Sequence, residues 1–124
     1  MSKARVVHPH EWAAPLAITV NGGVCLPIIW PGMGAVERSL HQFRLPPGSG
    51  TVDLRHETEA VYYVVSGQVL VVDRESGDSR QIGEGAMFHV DPGTGYAFSS
   101  VDREAVVLGG PCPADPSLYA QSVG

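Results

Sequence analysis

The sequence predicts an all-β domain built as an antiparallel double-sheet jelly roll or barrel. Short apolar and β-branched runs recur roughly ten times along the chain, with turn residues between them. The 124 residues include 15 Gly and 10 Pro, spread along the length rather than clustered. The stretches free of both, such as residues 35–45 and 51–66, are too short for a helical bundle and suit strands.

Taken in order, residues 1–15 read as an irregular N-terminal arm, broken by Pro9 and Pro15. Residues 16–110 form the β domain and residues 111–124 a C-terminal tail. LAITV (16–20) is strand-like and is turned by Asn21-Gly22-Gly23. Residues 24–30 are apolar, but Pro27 cannot donate to a sheet ladder, so this strand is expected at an edge. Pro31-Gly32-Met33-Gly34 is a turn or loop.

Residues 35–45 (AVERSLHQFRL) form the first long strand candidate. In a strand, His41, Phe43 and Leu45 share one side, and Val36, Arg38, Leu40 and Gln42 share the other. Neither side is cleanly polar, which predicts a sheet covered on both faces. Residues 51–56 are the next strand. AVYYVV (60–65) is an unbroken apolar and aromatic run, as in a strand buried on both faces. Ser66-Gly67 then turns the chain into QVLVVD (68–73), which predicts a hairpin. Strands over 79–82, 86–91, 95–100 and 104–108 complete the series. In the tail, Asp115 is placed to cap one helical turn with Pro116 at its first position. Leu118 and Tyr119 are expected to dock that turn on the barrel or on a second subunit.

Composition narrows the function classes. Eight Lys and Arg against 13 Asp and Glu give a formal charge of −5 with no basic cluster, which argues against nucleic acid as a partner. No apolar run approaches a membrane span of about 18 residues, and no amphipathic basic helix suggests membrane binding. The N-terminal segment lacks the apolar core of a signal peptide, so a cytoplasmic location is expected. Cys25 and Cys112 match no metal or redox spacing and read as free thiols in a reducing compartment.

Two gapped patterns carry a resemblance. Gly48, five residues, Leu54-Arg55-His56, three residues, Ala60, six residues and Gly67 reproduce the spacing G-x5-H-x-H-x3-E-x6-G. Gly85, five residues, Asp91-Pro92-Gly93, two residues, Tyr96, three residues and Ser100 reproduce G-x5-P-x-G-x2-H-x3-N. Seventeen residues, 68–84, separate them. The chain therefore resembles the cupin superfamily over residues 48–100. The resemblance implies a jelly-roll barrel with a small-molecule site in its interior, and it makes a homodimer the default assembly.

It also implies where a metal would bind, and those positions hold Leu54, His56, Ala60 and Tyr96. Leu54 and Ala60 carry no donor, while a transition-metal site needs about three or four. No cofactor is therefore expected. If a metal binds, it does so through His56 with ligands foreign to the family. Glu57 and Glu59 have the wrong strand parity unless a bulge turns Glu59 inward, and His41 and His89 come from other strands.

The expected pocket is apolar and aromatic, lined by Leu54, Ala60, Tyr62, His41, His89 and Phe98. His56 and Tyr96 map to positions that converge on one ion in metal-loaded relatives. They are the candidate catalytic pair, one accepting and one donating a proton. Glu57, Glu59 and Asp91 are candidate carboxylates to orient His56. Three functions stay open. The first is a metal-independent isomerase, cyclase or dehydratase of a biosynthetic pathway. The second is a non-catalytic ligand-binding module, and the third a dioxygenase-like enzyme with a rearranged metal site. The plainer alternatives are that His56 is a hydrogen-bonded core residue and Tyr96 a plug. His8 and His10 then belong to an exposed arm, and Trp12 and Trp30 cover a core edge.

Overall fold

The computed structural model describes residues 4–9 and 14–120. Expectations for His10 and Trp12 fall outside these residues.

Ten strands form two antiparallel five-stranded sheets. They are β1 (Thr19–Val20), β2 (Val24–Ile29), β3 (Leu40–Leu45), β4 (Gly50–Thr51), β5 (Glu59–Ser66), β6 (Gln68–Asp73), β7 (Ser79–Gly83), β8 (Met87–Val90), β9 (Tyr96–Ser100) and β10 (Ala105–Cys112). One sheet has the order β1-β4-β9-β6-β7 and the other β2-β3-β10-β5-β8. This is a double-sheet jelly roll whose sheets face each other without closing into a continuous barrel. One open side lies between the edge strands β7 and β8. Among the described residues, a short 3-10 turn spans Pro31–Met33 and one α-helix, α1 (Pro116–Ala120), follows the last strand. No described helix is long and apolar enough to cross a membrane.

β2 is an edge strand, where the missing N–H of Pro27 costs least. On β3, His41, Phe43 and Leu45 all point inward and are fully buried. Its other face is more open than expected at Leu40 and Arg44, while Leu26 and Val106, paired on that same face, are buried, so this side is only partly covered. The strand is also shorter than the 35–45 reading, beginning at Leu40. The aromatic run on β5 is likewise not buried on both faces. Ala60, Tyr62 and Val64 point into the core while Tyr63 and Val65 face outward.

The hairpin expected at Ser66-Gly67 does not form. β5 pairs with β10 and β8, whereas β6 pairs with β7 and β9 in the opposite sheet. Gly67 has φ +78, and a Cβ there would lie 2.4 Å from the Glu104 carbonyl, so the chain crosses between sheets through a turn only glycine fits. The strand expected over 51–56 reduces to Gly50–Thr51 plus an isolated bridge between Leu54 and Tyr96.

The core lies between the sheets. Phe43, Phe98, Tyr62 and Phe88 interlock at ring-centroid distances of 4.9–6.0 Å, mostly edge-to-face or tilted. Leu16, Ile18, Cys25, Leu45, Val64, Val69 and Val107 surround them. Burial pushes the Cys25 thiol pKa well up, and both cysteines are free.

Candidate functional site

Local pairing brings the two sequence patterns together. Leu54 and Tyr96 exchange both backbone hydrogen bonds, at 2.8 and 2.9 Å. His56, two residues on, therefore emerges on the same side as Tyr96. The amide of Gly93 donates to the His56 carbonyl at 2.7 Å and holds the segment there.

His56 Nε2 lies 2.7 Å from the Tyr96 hydroxyl. The Tyr62 hydroxyl, arriving from the opposite sheet, lies 2.5 Å from the same Tyr96 oxygen. On its other side, His56 Nδ1 lies 2.7 Å from Asp115 Oδ2. A carboxylate only accepts, so Nδ1–H donates to Asp115, and in the neutral ring Nε2 then accepts from Tyr96. Tyr96 in turn accepts from Tyr62. The result is one directional chain, Tyr62 to Tyr96 to His56 to Asp115. His56, Tyr62 and Tyr96 are 5%, 2% and 1% exposed.

Asp115 is the residue the sequence reading missed in this role. Its Oδ1 caps α1 by accepting from the Ser117 amide at 2.9 Å and the Ser117 hydroxyl at 2.7 Å. The cap was legible from Asp-Pro-Ser. The second oxygen's engagement with His56, 59 positions away in sequence, was not. Of the carboxylates expected to orient His56, none does so. Glu59 faces outward and pairs with His89 Nε2 at 2.7 Å, and Asp91 lies 3.6 Å from His89 Nδ1. His89 therefore bonds to carboxylates rather than to His56, although it borders the same side cavity as Tyr96.

His41 points inward from β3, and its Nε2 lies 2.8 Å from the Tyr119 hydroxyl. Tyr119 also packs against Trp30 at 4.9 Å between ring centroids. With Leu118 buried in the core, the tail docks on its own domain. Leu54, Ala60, Tyr62 and Phe98 are packed within the core cluster. The expected interior cavity beside Leu54 and Ala60 is therefore filled by side chains. Open space lies to the side instead. A cavity of about 160 Å³ is bounded by Val71, Phe88, Val90, Thr94 and Tyr96 among others.

Burial pushes the Tyr96 phenol up against the opposing effect of the Tyr62 hydrogen bond. Burial also raises Tyr62, reinforced by Tyr96. Both are therefore phenols, not phenolates, at neutral pH. For Asp115, burial acts upward, but hydrogen bonds from His56 and Ser117 outweigh it and hold the carboxyl below its ordinary 3.8. Burial lowers His41 to about 4, with the Gly109 backbone opposing and His56 adding to the effect.

The metal implied by the sequence resemblance does not fit this donor set. Leu54 and Ala60 have no donor atoms, and both ring nitrogens of His56 are already committed. Among the described residues, no group of three His, Cys, Asp or Glu is arranged to hold an ion.

Comparison with known proteins agrees with the architecture. Residues 41–108 match the family model described as Cupin domain. A Thermotoga maritima protein described as a predicted oxalate decarboxylase superposes with TM-score 0.70 at 20% identity, covering 85% of this chain and 96% of that one. The polyketide cyclase RemF from Streptomyces resistomycificus gives TM-score 0.67 at 20% identity, covering 89% and 80%. A cupin-like protein from Thermotoga maritima gives 0.69 at 12% identity, covering 98% and 99%. These identities speak for the fold alone. No curated protein matches the sequence.

Proposed function

The chain belongs to the cupin family, and from that premise we propose that it is a small-molecule enzyme that moves protons without a metal. The reaction class is isomerisation, cyclisation or dehydration. The observation that supports this most is the unbroken chain from Tyr62 through Tyr96 and His56 to Asp115.

The 2.7 Å contact means that His56 and Tyr96 work in series, not from opposite sides of a substrate. Tyr96 is the group that meets the substrate, because it borders the side cavity. As its oxygen takes a proton from an activated C–H, its own proton passes to His56 Nε2. Asp115 balances the imidazolium that results. The electron pair of the broken C–H bond stays in the substrate as its enolate, and Tyr62 donates to the Tyr96 oxygen to steady the transient negative charge there as its proton leaves for His56. Returning the proton to a different atom completes an isomerisation, and returning it to a departing hydroxyl completes a dehydration. Neither needs an oxidant or reductant. The proton relay calls for an enolisable C–H, and the Phe88 and Tyr96 rings that border the cavity favour an aromatic substrate.

A second reading is a non-catalytic binding module, favoured by how completely the relay is closed off from solvent. Deuterium exchange separates the two. A panel of enolisable aromatic ketones is incubated with the protein in D2O and followed by NMR. Exchange that falls by about a hundredfold or more in Tyr96→Phe and His56→Gln supports the enzyme. Unchanged exchange in both variants overturns it. Saturable binding with no exchange favours the module. The proposal extends to a homodimer in the reducing cytoplasm. It is supported by the free thiols Cys25 and Cys112 and by the exposed apolar residues Leu40, Tyr63 and Met87 on one sheet face.

A further inference from the structure

Strand pairing places a charge where the fold calls for a core residue. Across β6 and β7, Val69 pairs with Ile82 and Val71 pairs with Arg80. Antiparallel partners point to the same face. Val69 is fully buried, and Val71 and Ile82 pack against the core, so that face is the inner one. Arg80 therefore leaves β7 on the inner side of the sheet, at the side where the two sheets do not meet. Arg44, Arg55 and Arg74 each pair with a carboxylate, but Arg80 makes no such ion pair among the described residues.

Facing it is the edge of the other sheet. Phe88 is paired with Tyr62 and stacked on it, centroids 4.9 Å apart and planes 21° from parallel. Next to Phe88, Met87 is 69% exposed, paired with Tyr63 at the outer margin of this edge. Between these edges runs a groove of about 380 Å³, lined by Val71, Ile82, Met87 and Phe88 with Arg80, Asp73 and Asp78. That volume suits a small ligand. The cavity that reaches Tyr96 shares Val71, Asp73 and Phe88 with the groove. Phe88 thus stands between the open groove and the relay.

We propose that this groove is the ligand port, and that it takes a planar two-ring aromatic acid bearing a hydroxyl. The acid pairs with Arg80 and the rings lie against Phe88 and Val71. The size follows from the sheet. Arg80 and the β9 strand that carries Tyr96 are two strand spacings apart, about 10 Å, which a two-ring system spans. The hydroxyl follows from the carboxylates. Asp73 Oδ1 is already taken by the Glu75 and Ser76 amides, at 2.8 and 3.1 Å. Asp78 is exposed at the end of the groove and accepts a donor there. The substrate class rests on the proton-relay reading, whereas the binding site does not.

An inward arginine on an edge strand has a competing role, since it also discourages edge-to-edge pairing with another sheet. The probes 3-hydroxy-2-naphthoate and 2-naphthol distinguish the two. Binding is followed by ligand fluorescence on the full chain, in wild type, Arg80→Gln and Phe88→Leu, with thermal melts to confirm folding. One-to-one binding of the naphthoate is expected. It should weaken about tenfold or more in Arg80→Gln while 2-naphthol binding is unchanged. Phe88→Leu should weaken both. Absence of saturable naphthoate binding at millimolar concentration overturns the proposal. So does naphthoate binding that ignores Arg80→Gln, which leaves Arg80 as an edge guard. These readouts are of binding alone, so a relay that turns nothing over leaves them unaffected.

Discussion

Asp115 joins the tail to the interior of the domain through His56, with Oδ2 2.7 Å from Nδ1, while its other oxygen caps the helix it begins. One carboxylate therefore does two jobs. It fixes the His56 tautomer, and it holds α1 over the end of the sandwich.

Asp115→Ala removes both, leaving His56 Nδ1–H buried without an acceptor and the helix uncapped. The expected loss is about 2–4 kcal/mol in denaturant unfolding. Asp115→Asn keeps an acceptor and should lose less. Because the folded carboxyl is held below 3.8, its stabilisation is present above that value and disappears as pH falls through the lower folded one. Wild-type stability should therefore drop more steeply than that of Asp115→Asn below pH 3.8. Parallel acid profiles would show that the pairing contributes nothing.

Tyr96 is the only member of the relay that contacts both a ring nitrogen and a second phenol. Tyr96→Phe strands two buried polar groups, His56 Nε2 and the Tyr62 hydroxyl. Tyr62→Phe strands at most one. At about 1–3 kcal/mol per unsatisfied group, Tyr96→Phe should cost more than Tyr62→Phe by at least about 1 kcal/mol. The double variant should cost less than the sum, because once Tyr96 is gone Tyr62 has no partner left to lose. Additive losses in chemical denaturation would mean the two hydroxyls do not share a bond.

Gly109 sits in the inner row between His41 and Tyr62, paired with both. It has φ +155, and a Cβ there would lie 2.1 Å from the Val61 carbonyl and 2.6 Å from the Tyr62 ring. Neither backbone can yield, since both belong to central strands. Gly109→Ala should cost about 3 kcal/mol or more. It should also shift the aromatic NMR signals of Tyr62. A variant within about 0.5 kcal/mol of wild type would be inconsistent with this close approach.

Much of the scaffold was legible in the sequence because its signals are local. Pro27 marks an edge, alternation on 41–45 marks an inward face, and Gly48, Gly67, Gly85 and Gly93 all take positive φ at turns. What failed was non-local. Two apolar strands around Ser66-Gly67 look alike whether they pair with each other or enter opposite sheets. That depends on β9 and β10, some 30–45 residues later in the chain. The site shows the same division. His56 and Tyr96 were found through fixed spacings. Tyr62 was placed on the pocket face by parity. Asp115 was read as a cap, because nothing local connects a tail carboxylate to a histidine before the motif strands have paired.

His41 and Asp115 should leave separate marks on the acid profile. His41 is fully buried, and its Nε2 meets Tyr119, whose own hydroxyl burial pushes up to about 12. Burial favours the neutral ring and lowers its pKa from 6.5 to about 4. The unfolded chain then binds a proton that the folded chain refuses between those values. Stability supplied by the neutral ring is thus complete above pH 6.5 and is lost as pH falls toward 4. The size is on the order of 3 kcal/mol. His41→Gln keeps a polar partner for Tyr119 and removes the titration, so its stability should be nearly level from pH 7 to pH 4 while that of wild type declines. The Asp115 contribution begins only below that window, so a double variant, His41→Gln with Asp115→Asn, should flatten both segments. If the decline between pH 6.5 and 4 persists in His41→Gln, another group carries it, and His41 is not held neutral by its burial.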